Sequence, residues 1–167
     1  EGVAVQAIAH GRTVSQSALE TQAALQAMGL WDAEASHTAA LQVAKAVSAN
    51  AFAQGQTVEQ VLKATYEAAV VCGVPAIEAE TLGSCIVAAE LQGRFQTEGL
   101  SADESFRMAA ERTIGAVIRT GTTASQSPRS VAQQAHVAAE ALGLEEADAL
   151  VTQQTLEVYI GQALTGF

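Results

Sequence analysis

The sequence predicts an all-α fold, a multi-helix bundle built from helix hairpins that repeat about every 44 residues. Three observations predict it. Glycines stand at 11, 55, 99 and 143, each step being 44 residues. Helix-capping patterns follow them: Thr13 with Gln16, Thr57 with Gln60, Ser101 with Glu104, and later Ser130 with Gln133. All four fit S/T-x-x-E/Q, in which a hydroxyl accepts the N3 amide and the N3 side chain returns to the cap amide. Finally, Ala makes up about a fifth of the chain, β-branched residues do not alternate, and Asn-Gly and Asp-Gly hairpin turns are missing.

The elements follow in order. Val3 to His10 reads as the tail of a helix. Helices are then expected near 13–28, 32–53, 57–72, 76–92, 102–119, 129–142 and 145–164. In the second, Val14, Ala18, Leu25 and Met28 are spaced for one face; in the fourth, Val58, Leu62, Thr65, Ala69 and Cys72 are. Gly29, Gly73, Gly121 and Gly143 are placed as left-handed C′ residues that end helices. Pro75 and Pro128 fall near helix starts, where a missing amide costs little. The first two units also match at Gly29 with Gly73, Glu34-Ala35 with Glu78-Ala79, and Val43-Ala44 with Val87-Ala88. The expected organisation is a repeat block over 1–120, a polar linker-like turn over 121–128, and a C-terminal helix pair over 129–167 packing on the same bundle. Both ends read as cuts in a longer periodic pattern.

Composition narrows the function. A formal net charge of −10, with eight scattered basic residues, argues against nucleic-acid binding. No apolar run reaches the roughly 20 residues that span a bilayer. Two cysteines cannot supply a disulfide framework or a four-Cys zinc site. Walker, dinucleotide and nucleophile-elbow glycine patterns do not occur, so no catalytic residue is assigned and no cofactor is expected.

Glu34 and His37 form an E-x-x-H, which places carboxylate and imidazole on one helix face. The matching position in the next unit is Thr81, so one half-motif is left, and no metal site is assigned. Cys72 would close one helix and Cys85 lie well inside the next, roughly 10–13 Å further along at about 1.5 Å per residue. A disulfide needs Cα atoms within about 7 Å, so the two should not pair and should pack as small hydrophobes. Trp31, in a helix–helix turn, is expected to cap the core, and Phe52, Phe95 and Phe106 to lie within it. Glu78, Glu80, Glu90, Glu111, Glu145, Glu146 and Asp148 read as solvated faces. Trp31, Cys72 and Cys85 are the candidate assembly contacts.

One family resemblance rests on composition. Ser15-Gln16-Ser17-Ala18, Thr122-Thr123-Ala124-Ser125-Gln126-Ser127 and the Ala-rich helix ending in Ala53-Gln54-Gly55 resemble the helical domains of spider silk proteins. Those domains are small bundles rich in Ala, Ser and Gln that assemble into fibres. The 18 Asp and Glu residues, with Lys45 and Lys63, depart from the charge-poor repetitive silk domain. The resemblance implies a non-enzymatic, secreted, extracellular module that self-associates. The alternative is a helical carrier holding a small apolar ligand in the bundle core.

Overall fold

The chain was analysed as a computed structural model that describes residues 2–144 and 147–165. The described residues are helical, without strands: α1 (Gly2–Ala9), α2 (Val14–Ala27), α3 (Asp32–Ala53), α4 (Val58–Val71), α5 (Ala76–Thr97), α6 (Ala102–Thr123), α7 (Pro128–Ala141) and α8 (Ala147–Thr165). Three of the expected capping boxes form. Gln16 N donates to Thr13 Oγ1 at 3.2 Å, Gln60 N to Thr57 Oγ1 at 3.4 Å and Glu104 N to Ser101 Oγ at 3.3 Å. Each return bond from the cap amide is present as well. Such a cap contributes on the order of 1 kcal/mol.

The fourth box does not form. Ser127 caps α7 instead, its hydroxyl accepting from Ser130 N at 3.2 Å. Pro128 then takes the first helical position, where its fixed φ suits the helix and its missing amide would have had no partner. The helix therefore starts earlier than Ser130 would allow.

Two helices also outrun their expected ends. α5 continues past 92 to Thr97, because Leu91 and Phe95 prolong its buried face. α6 continues past 119 through Gly121 to Thr123, into the stretch expected as a linker. Gly29, Gly73 and Gly143 do have positive φ after α2, α4 and α7, but Gly121 does not. The left-handed residue after α6 is Ser125, at φ 57°. Gly121 is buried and lies against α7: a β-carbon there would sit 2.8 Å from Val131 Cγ2. Its role is to let α7 approach.

The chain divides into two compact units, residues 1–86 and 87–167, the division falling inside α5. In the first unit, α3 is the central helix and carries two buried rows. Ala35, Ala39, Val43 and Ala46 face backwards in the chain, toward Leu25 of α2 and Ala4 of α1. Ala40 and Ala44 face forwards, toward Ala69 of α4, Val74, and Ala79 and Ile86 of α5. In the second unit, Ile114 and Ile118 of α6 face forwards onto Val131, Ala135 and Ala139 of α7 and Ala147 and Val151 of α8. Forward-facing residues thus lie five positions after backward-facing ones on a long helix.

The core side chains are small. Where Ser or Thr replaces Ala, the hydroxyl is often returned to its own helix. Thr65 Oγ1 donates to Val61 O at 2.7 Å, and Thr113 Oγ1 to Ala109 O at 2.8 Å. Each hydroxyl is satisfied without adding width between helices.

Gly121 and Gly93 make a test of this close packing. Both are inside helices, where Ala is better than Gly by about 1 kcal/mol. Gly93 has open space where a β-carbon would go. Gly93→Ala should therefore raise stability by up to about 1 kcal/mol. Gly121→Ala must displace the stiff, buried Val131, at an overpacking cost of about 1–3 kcal/mol. Chemical denaturation should show the first variant more stable than the parent and the second less stable.

Candidate functional site

The hairpin tips are built alike. In the α2–α3 tip, Gly29 (φ 94°) turns the chain and Leu30 folds in against Leu25, Ala35 and Ala39. Trp31, extended at φ −70° and ψ 152°, is the residue before α3. Gln26 Nε2 donates to Asp32 Oδ1 at 3.0 Å and ties the two helix ends together. In the α4–α5 tip, Gly73 turns the chain and Val74 takes the inward place of Leu30.

Trp31 does not cap the core: it is 82% exposed, because Leu30 already fills the inward position. Met28 beside it is 70% exposed. At the second tip Val70, Val71 and Ile77 are exposed, and on α8 so are Leu156 and Ile160. Of these, sequence reasoning singled out Trp31 as a candidate contact. Ile77 could have been found from its phase, two residues before the buried Ala79. Leu156 and Ile160 are four apart on the side away from Val151. Among the phenylalanines, Phe95 is buried, with Arg112 over its ring at 4.9 Å from the centroid, whereas Phe106 is exposed. Phe106 follows the buried Ser105 and turns off the inward row, so it is not a core residue.

Cys72, after α4, packs against Val43 and its neighbours in one direction and Ala40, Ala44 and Ala69 in the other. Cys85 lies on α5, and both side chains are half-buried, reduced thiols. Burial pushes both pKa values up, because a thiolate is costly away from water.

Glu34 and His37 are exposed on the first turns of α3. Among the described residues no group of three or more His, Cys, Asp or Glu side chains is arranged to hold a metal ion. Glu78 and Glu80 are exposed as expected, while Glu90 and Glu111 are half-buried beside Arg94 (3.3 Å) and Arg107 (4.0 Å). Glu145 and Glu146 lie outside the described residues, as does the side chain of Asp148.

A surface groove of about 470 Å³ runs between α1 and α2. Val3 and Ala7 contribute apolar surface, and Gln6, His10, Arg12, Gln16 and Glu20 line the rest. Arg12 Nε is 3.6 Å from Glu20 Oε1, and His10 Nδ1 donates to Gln6 O at 2.6 Å. In the second unit, α8 also meets α6 through polar groups, beside the apolar contact of Ile114 and Ile118 with Ala147 and Val151. Gln154 Nε2 donates to Glu111 O at 3.2 Å, and Gly115 leaves space that Gln154 Oε1 approaches. The buried Thr155 Oγ1 and Tyr159 OH have no hydrogen-bond partner. No helix among the described residues is long and apolar enough to cross a membrane. Comparison with protein-family models, curated proteins and solved structures finds no match to this chain.

The cysteine environment gives a measurable outcome. A thiol pKa raised by folding means that the folded state holds its proton more tightly. That stabilising contribution is complete below the unfolded thiol pKa and is lost as pH rises through the higher, folded value. Alkylation of both thiols at pH 8 should be slower in the folded protein than in urea. Equal rates in the two conditions would mean the thiols are not shielded as described.

Proposed function

We propose that this chain is a non-enzymatic structural module that self-associates, one assembly unit of a secreted, repeat-containing protein of silk or matrix type. The observation that carries the reading is the set of large apolar side chains turned to solvent: Leu19, Met28, Trp31, Ile77, Leu156 and Ile160 are each more than half exposed. Apolar side chains exposed together mark interaction sites, and Met28 and Trp31 stand at one hairpin tip while Leu156 and Ile160 stand one turn apart on α8. A catalytic role would call for converging titratable groups, whereas these side chains offer contact area alone.

A repeating design supports the same reading. α2, α4 and α7 are each 14 residues long and follow the caps Thr13, Thr57 and Ser127. Their buried positions correspond: Ser17, Val61 and Val131; Thr21, Thr65 and Ala135; Leu25, Ala69 and Ala139. α2 and α4 start 44 residues apart, as do α3 and α5, but α6 is a long helix where that period would place a short one. The unit we infer is a long helix followed by a short one, as in α3–α4 and α6–α7, while α5 is followed directly by the long α6. Stacked units of this kind bury a continuous core and suit association end to end. The resemblance to silk helical domains motivates the secreted, extracellular assignment. The carrier alternative is not favoured by the α1–α2 groove, an open surface feature whose lining mixes Val3 and Ala7 with Gln6, His10, Arg12, Gln16 and Glu20.

The charge of −10 opposes association at neutral pH. Protonating carboxylates relieves that repulsion, so association should strengthen as pH falls from 7 toward 4. Hydrogen bonds from the Ser101 hydroxyl and amide hold the Glu104 carboxyl below the usual carboxylate range. Light scattering coupled to size exclusion should show the mass rising above that of the 17.2 kDa chain as pH falls or concentration rises. A strictly monomeric mass at every pH and concentration would overturn the proposal.

A further inference from the structure

The two ends of the first unit differ in chemistry. Its helices alternate in direction: Leu25, near the end of α2, meets Ala35 and Ala39 near the start of α3, whereas Val14 and Ala18 pack with Val43 and Ala46 further along it. The turns at Gly29 and Gly73 therefore share one end of the unit, and those at Gly11 and Gly55 the other. The Gly11 and Gly55 turns are polar, reading His10-Gly11-Arg12-Thr13 and Gln54-Gly55-Gln56-Thr57. The Gly29 and Gly73 turns are not. Trp31 stands out from the first of them. At the second, Val70 and Val71 close α4, Pro75, Ala76 and Ile77 lead into α5, and all five are exposed. Each of these turns joins two packed helices, and Leu30 and Val74 already fill its inward place. The exposure is thus a property of the hairpins themselves.

Charge specifies what suits this end. Asp32 and Glu34 follow Trp31, Glu78 and Glu80 follow Ile77, and all four are exposed. No Lys or Arg occurs between Arg12 and Lys45, or between Lys63 and Arg94. These carboxylates repel an anionic membrane or a nucleic acid. They also repel a second copy of a chain whose own charge is −10, for as long as they stay ionised. A segment that carries Lys or Arg beside aliphatic side chains meets both demands. Its apolar face covers the exposed residues of the two turns, and its cations complement the carboxylates beside them.

We infer that the end of the first unit formed by the Gly29 and Gly73 turns is a docking surface for a cationic, amphipathic segment of another protein. Trp31, Val71 and Ile77 supply the contact area, and Asp32, Glu34, Glu78 and Glu80 select a basic partner at neutral pH. The inference goes beyond self-association and holds whether or not copies of this chain associate with one another.

Trp31 is the chain's one tryptophan and so reports on this end directly. The probe is a synthetic amphipathic helix made of Leu and Lys, with a Leu and Glu peptide of the same pattern as its control. At pH 7 and low salt, titration with the Leu and Lys peptide should shift Trp31 emission to the blue and saturate, and the control peptide should leave it unchanged. Calorimetry then compares variants at exposed positions, with circular dichroism verifying that each is folded. Ile77→Ser, and separately the pair Glu78→Gln and Glu80→Gln, should each weaken binding at least about threefold. The pair Glu98→Gln and Asp103→Asn, which removes the same charge from the second unit, should leave binding within about twofold. Equal losses from the two charge pairs would mean attraction to the whole acidic chain and would overturn the proposal. So would an emission that does not respond to the peptide, or one that shifts instead with phosphatidylcholine vesicles or with protein concentration alone, since these assign the end to a lipid surface or to a second copy.

Discussion

The structure depends on how close its helices can come. Ala40 and Ala44 of α3 meet Ala69 of α4 and Ala79 of α5, so side chains one carbon long set the separation. Axes packed through such residues sit toward the short end of the usual range of about 8–10 Å. Close approach brings many backbone atoms into van der Waals contact, and this dispersion replaces what larger side chains would supply elsewhere. It also accommodates the buried Thr65 and Thr113. A hydroxyl that bonds to its own helix, as Thr65 and Thr113 do, is little wider than a methyl group. The low aromatic content follows from the same constraint, since a ring would wedge the helices apart.

A thin core has consequences at the surface. When inward positions are taken by Ala, some large aliphatic side chains that a thicker core would absorb are left facing solvent. Trp31 and Ile77 stand outside because Leu30 and Val74 fill the inward places at the hairpin tips. Their exposure sets up the attraction between copies that the proposed function invokes, and the net negative charge opposes it. The balance between those two terms is what pH would tilt. Under the proposed function, the charge, read first as a matter of composition, has a role in controlling assembly.

Much of the fold was legible in the sequence, for local reasons. The caps at Thr13, Thr57 and Ser101, and the C′ glycines at 29, 73 and 143, act within a turn or two of chain and leave their mark there. Gly121 was misread because nothing local distinguishes a stop glycine from one that admits a neighbouring helix; Val131, ten residues on, decides it. Ser127 displaced Ser130 as a cap because the proline between them fixes the first turn. The expected core position of Trp31 failed for a similar reason: whether a tip residue turns in or out depends on what already occupies the inward site. The candidate surface was legible least. Its residues are defined by their exposure in the folded chain, which the spacing of Thr152, Leu156 and Ile160 does not announce.

Small residues hold these helices at their separation. Ala44→Leu and Ala69→Leu test it most directly, because both residues are fully buried between helices. If close approach is the organising constraint, each Leu should lower stability by about 1–3 kcal/mol, seen as a fall in Tm, despite adding apolar surface. If instead the interior has room, each Leu would bury extra methylenes worth about 0.8 kcal/mol apiece and Tm would hold or rise. That second result would contradict the account.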